Sequence, residues 1–117
     1  MTLFGMKFEQ RKIFLAKVRF SDSNKFKNRP VIVISNNNFN DKYNEVICCP
    51  LTSNPLGEGI IIDSLDLESG RLIRVSKIKS KYPFFLDKNE INKEIGKIKI
   101  EIARMIIKDL EELIRIN

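Results

Sequence analysis

Apolar residues occur through most of the chain in short runs that polar, turn-forming segments separate. These runs are rich in β-branched and aromatic residues, which is typical of strands. The predicted strands are Lys12–Phe20, Val31–Ile34, Glu45–Pro50, Gly59–Leu65, Arg71–Ile78 and Ile95–Ile98. Asn, Gly and Pro between the runs predict turns, with one helical turn within residues 36–44 and a tight turn at Glu68–Gly70.

The C-terminal segment has a different period, because its apolar residues fall on one helical stripe. The stripe consists of Ala103, Ile106, Ile107, Leu110, Leu113 and Ile114. Ile98, Ile100 and Ile102 alternate just before it, so the pattern leaves the first residue of the helix open. Many short strands without a βαβ rhythm predict a mainly β, α+β fold: a small antiparallel barrel covered by a terminal helix.

Length and composition indicate one compact domain. The 117 residues are 43% hydrophobic and 31% charged, and we expect a single domain over 1–117 with an ordered core at about 8–115. No apolar run approaches the roughly 20 residues of a membrane span, and the start shows no signal-peptide pattern.

Adjacent Cys48 and Cys49 point to opposite faces of a strand, which predicts buried thiols in a reducing cytoplasm.

A net charge of +6 and a pI of about 9.4 favour polyanionic partners, although a solvated lysine surface explains charge equally well. Lysines lie beside aromatic residues in Asn24–Arg29 and Lys77–Phe85, a combination that suits single-stranded nucleic acid. In the second stretch Lys77, Lys79 and Lys81 alternate, so a strand there would place them on one face.

The sequence contains no histidine, which excludes Ser-His and Cys-His nucleophile systems. The acidic residues lack metal-ligand spacing, so neither a metal nor a cofactor is predicted. The scattered acidic residues are Asp22, Asp41, Glu45, Asp63, Asp66 and Glu68.

Arg29 and Thr52 are the candidate chemical residues. Arg29 precedes Pro30 at the mouth of an apolar strand, and a guanidinium held there suits the oxygens of a phosphate. Thr52 and Ser53 follow another strand, where a simple Ser/Thr turn is the plainer explanation.

An ordered set of motifs resembles the MazF/PemK-type toxins of toxin–antitoxin pairs. The motifs are Arg29-Pro30, VIVISN at residues 31–36, Phe39-Asn40, VICC at 46–49, Pro50-Leu51-Thr52-Ser53 and Ile95-Gly96-Lys97-Ile98. The resemblance covers nearly the whole chain, from about Lys12 to Ile114. Where the family pattern has Asp-Gln-Ile, this chain has Ser76-Lys77-Ile78.

The resemblance implies an SH3-like barrel, a homodimer and a ribosome-independent endoribonuclease that cuts single-stranded RNA at a short motif. The substrate's 2′-hydroxyl would attack the phosphate without a metal, with Arg29 and Thr52 catalytic. The RNA contacts expected are Lys25, Lys27, Asn36, Ser53, Lys77 and Lys79. A cognate antitoxin with an acidic or amphipathic tail is the implied protein partner.

Two other functions fit the same barrel. One is a gyrase-inhibiting toxin, which relies on C-terminal aromatic residues, whereas this chain ends LIRIN. The other is a non-catalytic RNA-binding module, which would keep the basic stretches without cleaving RNA.

Overall fold

The computed structural model describes residues 6–19 and 25–117, which form eight strands, two α-helices and two short 3-10 helices. The strands are β1 (Lys12–Arg19), β2 (Phe26–Val33), β3 (Glu45–Thr52), β4 (Ile60–Ile62), β5 (Leu67–Gly70), β6 (Ser76–Ile78), β7 (Phe84–Asp87) and β8 (Ile91–Ile98). The helices are α1 (Asn37–Lys42) and α2 (Ile100–Ile114), and the 3-10 helices are Ser64–Asp66 and Lys88–Glu90.

All strand pairs are antiparallel. The sheet runs β4-β6-β3-β2-β1-β8-β5, and β7 pairs with the first part of β3. The sheet curls into a half-barrel that carries α2, which confirms the predicted mainly β, α+β fold. Within 6–19 and 25–117, neither helix is long and apolar enough to cross a membrane.

Two apolar clusters fill the two sides of the curled sheet, because alternate side chains of a strand face opposite ways. In β2, Ile32 belongs to the cluster beneath α2, whereas Val31 and Val33 belong to the other cluster. Cys49 and Cys48 divide between the same two clusters. The prediction that these neighbouring thiols are buried on opposite faces is therefore confirmed.

The prediction of a tight turn at Glu68–Gly70 is wrong, since these residues belong to β5. Gly70 has φ +81°, and its backbone packs against Gly96 of β8. A Cβ on Gly70 would lie 2.2 Å from the carbonyl oxygen of Ile95. Gly70, which suggested a turn, in fact allows β5 to approach β8 closely at Gly96.

The predicted strand Arg71–Ile78 is also too long, because residues 71–75 form a loop and only β6 is strand. The Ser64 hydroxyl accepts from the Leu72 N–H at 2.9 Å and donates to the Leu72 carbonyl at 3.2 Å. This side chain occupies backbone groups that a continued strand would need for pairing. The loop therefore stays outside the strand ladders. Its Leu72 packs against the core, and its Ile73 is 96% exposed.

The boundary before the last helix is resolved, because β8 ends at Ile98 and α2 begins at Ile100. Helix α2 packs Ile106 into the core, with Ile102, Ala103 and Leu110 around it. The helix therefore covers the sheet through Ala103, Ile106 and Leu110 of the predicted stripe, whereas the other three stripe residues do not face the core. Other apolar residues of α2 and its end remain exposed: Ile100, Met105, Ile107, Leu113, Ile114 and Ile116.

Candidate active site

The ladder between β2 and β3 ends before either strand does, and we call the gap that follows the fork. Residues 48–50 of β3 pair with β2, and the last pair of that ladder is Val31 with Pro50. Leu51 and Thr52 pair only with β6, which lies on the other edge of β3, while Phe26–Pro30 of β2 pair only with β1. The two strands therefore separate just beyond Val31 and Pro50.

A proline on β2 stands at the point where the ladder stops. The Ile34 N–H donates to the Ile47 carbonyl across β2 and β3 at 2.8 Å. Because hydrogen-bonding direction alternates along a strand, the position of Pro30 also faces β3. Pro30 has no N–H to donate, so the ladder cannot continue through it.

Arg29 and Thr52 lie on the two strands that border the fork, Arg29 on β2 and Thr52 on β3. Extending the register of Val31 with Pro50 by two residues puts Arg29 opposite Thr52, with both side chains on the same face. Both line one groove with a volume of about 570 Å³. Arg29 lies within β2, three residues after its first residue Phe26, rather than at the start of the strand as the sequence suggested.

The Thr52 hydroxyl is oriented by its own turn. The backbone N–H of Asn54 donates to Thr52 Oγ1 at 3.1 Å, as expected for a Ser/Thr turn. A hydroxyl that accepts one such bond keeps its proton to donate. The turn and a chemical role are therefore compatible, since the turn fixes the oxygen while the O–H remains a donor.

The groove is strongly basic. Its wall contains five basic side chains and one acidic one. The basic residues are Lys27, Arg29, Arg71, Arg74 and Lys93, and the acidic residue is Glu94. Low-dielectric walls that carry one sign of charge concentrate counter-ions and polyanions. The arrangement suits a chain of phosphates.

Arg71, Arg74 and Lys93 are groove residues that sequence reasoning missed. A strand over 71–78 places positions 71 and 74 on opposite faces, so the pattern separated the two arginines. As a loop, the same residues line one wall. The signal available in the sequence was the pair of arginines in Arg71-Leu72-Ile73-Arg74, which the strand interpretation obscured.

The single groove carboxylate is already engaged. Glu94 accepts from the Lys12 ammonium at 3.0 Å, and Glu9 lies on the same ammonium at 3.3 Å. Burial disfavours the charged form of Lys12, but the hydrogen bonds that it donates to both carboxylates, together with their negative charges, outweigh burial and raise the pKa of Lys12. The hydrogen bond from Lys12 is the main reason that the pKa of Glu9 is lowered.

The other predicted RNA contacts are distributed unevenly. Lys27 and Ser53 line the groove, and Lys25 is exposed just before β2. Asn36 caps α1, since its side-chain oxygen accepts from the Phe39 N–H at 2.9 Å. Lys79 lies over the Tyr82 ring at 4.8 Å in a separate hollow.

Lys77 is not at the groove surface. It is 6% exposed, and its ammonium is turned into the loop that follows β3. Because β6 ends at Ile78, the prediction that Lys77, Lys79 and Lys81 alternate on one strand face is wrong.

The acidic residues considered as metal ligands make separate contacts in different parts of the fold. Asp63 and Asp66 cap a 3-10 helix together, and Glu68 pairs with Arg11 at 3.0 Å. Asp22 lies outside the described residues. Among residues 6–19 and 25–117, no group of three or more Cys, Asp or Glu side chains is arranged to hold a metal ion.

A family model for PemK-like, MazF-like toxins of type II toxin–antitoxin systems matches residues 9–114. A search of curated protein sequences found no significant match.

Solved structures share the fold over nearly the whole chain. The Mycobacterium tuberculosis toxin MazF-mt6 is 15% identical, with 92% of this chain and 99% of that chain covered and a TM-score of 0.71. A MazE–MazF structure from Deinococcus radiodurans is 13% identical, with 93% and 97% covered and a TM-score of 0.71. An endoribonuclease in complex with its cognate antitoxin from mycobacterial species is 15% identical, with 93% and 96% covered and a TM-score of 0.67.

Proposed function

The chain belongs to the family of PemK-like, MazF-like toxins of type II toxin–antitoxin systems, and from this premise we propose that it is a metal-independent endoribonuclease that cleaves single-stranded RNA. The observation that carries the proposal is the fork between β2 and β3. There the strand register sets a guanidinium opposite a threonine hydroxyl in a basic groove. The resemblance assigns the catalytic roles to these same two residues, Arg29 and Thr52.

The reaction is a transesterification within the substrate. The 2′-hydroxyl oxygen attacks the adjacent phosphorus, the bond from phosphorus to the 5′-oxygen breaks, and the departing 5′-oxygen gains a proton. A 2′,3′-cyclic phosphate and a 5′-hydroxyl result, so no external nucleophile is needed. The proton balance needs only the solvent, since one proton leaves the 2′-oxygen and one reaches the 5′-oxygen.

Arg29 and Thr52 act by stabilising charge and fixing geometry. Charge accumulates on the non-bridging oxygens of the phosphorane, and a planar guanidinium donates to two such oxygens at once. The Thr52 hydroxyl, on the opposite side of the fork, donates a further hydrogen bond and restricts the position of the phosphate. Arginine stays protonated across the physiological range, so a water or the leaving oxygen handles the proton in this proposal.

The remaining groove residues bind the RNA backbone. Lys27, Arg71, Arg74 and Lys93 supply positive charge for flanking phosphates. The same surface suits the acidic tail of a cognate antitoxin. That partner would compete with RNA for the groove and cover Arg29. The proposal includes a homodimer, for which the exposed apolar residues of α2 offer a surface, and a cytoplasmic location, where RNA is available.

The test is cleavage of single-stranded RNA by purified protein in EDTA. We expect Arg29→Ala and Thr52→Ala each to lower the rate by about 10²-fold or more, because each removes one charge-stabilising donor. Thr52→Ser should restore much of the rate, since it keeps the hydroxyl. Arg115→Ala is the matched control, because Arg115 follows the end of α2 and does not line the groove.

The outcomes separate the candidate functions. Unchanged cleavage in both alanine variants would contradict the assigned mechanism. RNA binding that weakens steeply with salt but yields no product would indicate the non-catalytic module. Trapped gyrase–DNA complexes in a supercoiling assay would indicate the gyrase-inhibiting toxin.

A further inference from the structure

Lys77 is a buried lysine next to the proposed catalytic threonine. It pairs with Thr52 of β3 on one side and with Ile61 of β4 on the other. These three residues form one row across the sheet. Extending the row across the fork leads to Arg29. Lys77 and Arg29 therefore lie on opposite sides of Thr52 in this row.

The Lys77 ammonium is held by the backbone of the loop that follows Thr52. It donates to three consecutive carbonyl oxygens at 2.8, 3.2 and 2.7 Å, those of Pro55, Leu56 and Gly57. An ammonium has three N–H donors, so these three acceptors compensate for its burial.

Glycines let the loop close around the lysine. Gly57 has φ +86°, a left-handed conformation that favours glycine. A Cβ on Gly59 would lie 2.2 Å from Lys77 Cγ. The loop backbone therefore rests directly on the aliphatic stem of Lys77, and its carbonyls converge on the ammonium.

Hydrogen bonds connect this loop to the Thr52 hydroxyl. The Leu56 N–H donates to Asn54 Oδ1 at 3.0 Å, and the Asn54 N–H donates to Thr52 Oγ1 at 3.1 Å. The path from Lys77 through the Leu56 peptide to Asn54 and Thr52 is continuous. Loss of the lysine would loosen the segment whose N–H fixes the Thr52 oxygen.

We propose that Lys77 is a positioning residue for Thr52 in RNA cleavage: it holds the loop at residues 53–59 so that the Thr52 hydroxyl faces the groove. This inference rests on the proposed function. It replaces the expectation that Lys77 contacts RNA, since its donors are bonded to the protein backbone. In the resemblance, this lysine stands where the family pattern has glutamine.

The test compares Lys77→Met with wild type, using Lys81→Met as the matched control. Met keeps most of the apolar stem but donates no hydrogen bond. Lys81 is an exposed neighbour that reaches the same loop only through a surface ion pair with Glu58 at 3.6 Å, and such exposed pairs contribute little to stability. We expect Lys77→Met to lower kcat by about 10-fold to 10²-fold, since misplacing a catalytic group reduces rate. The KM and its salt dependence should stay close to those of wild type and Lys81→Met.

The salt dependence separates positioning from RNA contact. A lysine that binds a phosphate contributes about one unit to the slope of log affinity against log salt. A lower slope and a higher KM in Lys77→Met, with kcat unchanged, would overturn the proposal in favour of a direct contact.

A Thr52→Ala background distinguishes a positioning role of Lys77 from a general loss of protein stability. In a Thr52→Ala chain, Lys77→Met should lower kcat no further, because the group that Lys77 positions is already gone. A full additional loss there would overturn the proposal. If Lys77→Met does not fold, Asn54→Ala carries the same test. It removes the Oδ1 that accepts from the Leu56 N–H and so breaks the path at that step, while the Asn54 N–H and Lys77 stay in place.

Hydrogen–deuterium exchange provides a readout that does not depend on activity. The amides of residues 54–59 should exchange faster in Lys77→Met than in wild type or Lys81→Met, and equal rates would overturn the inference. A wild type that cleaves no RNA would instead contradict the proposed function. A cleaving wild type with an equally active Lys77→Met would contradict only the role of Lys77.

Discussion

The two halves of β2 belong to one strand but have opposite surroundings. The inner half, Val31–Val33, pairs with β1 on one side and β3 on the other, and it is fully buried. The outer half, Phe26–Pro30, pairs with β1 alone and is exposed or half-buried. The inner half anchors the strand, and the outer half presents Arg29 and Lys27 to the groove.

This contrast shows how a small domain builds a rigid site at its surface. Paired backbone on both sides restricts the strand as far as Val31, so Arg29 lies only two residues beyond a fully packed position. A catalytic group on a strand is held more precisely than one on a loop. The opening of the groove itself depends on Pro30, which ends the ladder without ending the strand.

The largest expected effect is a difference in thiol reactivity between cysteines beside the inner half of β2 and a cysteine placed in its outer half. Cys48 and Cys49 pair with Val33 and Ile32. Burial raises the pKa of the Cys49 thiol to about 12 and that of Cys48 still further. Native wild type at pH 8 should react with Ellman's reagent about 10³-fold or more slowly than unfolded protein, because the reactive thiolate requires opening of the inner half.

Asn28→Cys supplies the matched thiol in the outer half, since Asn28 is exposed. That variant should show one rapidly reacting thiol under native conditions. Rapid modification of the wild-type cysteines would contradict the assignment of the inner half as closed.

The second effect is on the free energy of unfolding. Ile32 is fully buried in the inner half, so Ile32→Ala should lower the free energy of unfolding by about 2–5 kcal/mol. Asn28→Ala in the outer half should change it by about 0.5 kcal/mol or less. Urea denaturation of both variants measures the difference, and equal losses would show that the two halves are packed alike.

The smallest effect concerns the groove charges, and it assumes the proposed RNA cleavage. Lys27→Gln and Arg74→Gln should each raise KM by about 3-fold to 10-fold and reduce its salt slope by about 1, with kcat near that of wild type. Lys108→Gln on α2 is the control outside this groove. A fall in kcat without a change in salt slope would mean that these residues act on the chemistry instead.

Local pattern predicted the elements in which neighbouring residues decide the structure. The β-branched run around Val31–Val33 and the apolar stripe of α2 both indicate their elements by period alone. Sequence order also singled out Arg29 and Thr52, because each follows or precedes an apolar strand in a recognisable motif. The structure brings these two residues to one groove.

The errors lie where distant contacts override the local pattern. Residues 68–70 have turn composition, but pairing with β8 makes them a strand. Residues 71–75 have strand composition, but the Ser64 hydroxyl holds them as a loop. The sequence pattern therefore did not predict Arg71 and Arg74 as groove residues, since the two side chains line the same wall only when the segment is a loop.

The sequence by itself determined the class of fold, the basic balance, the absence of histidine chemistry and the candidacy of Arg29 and Thr52. These follow from composition, period and motif order, which are properties of the chain read in one dimension. Only the tertiary structure decided that β3 leaves β2 at Pro50, that five basic side chains share one groove, and that Lys77 faces a loop rather than the solvent. Each of those depends on register and on which segment covers which face, and residues far apart in sequence fix both.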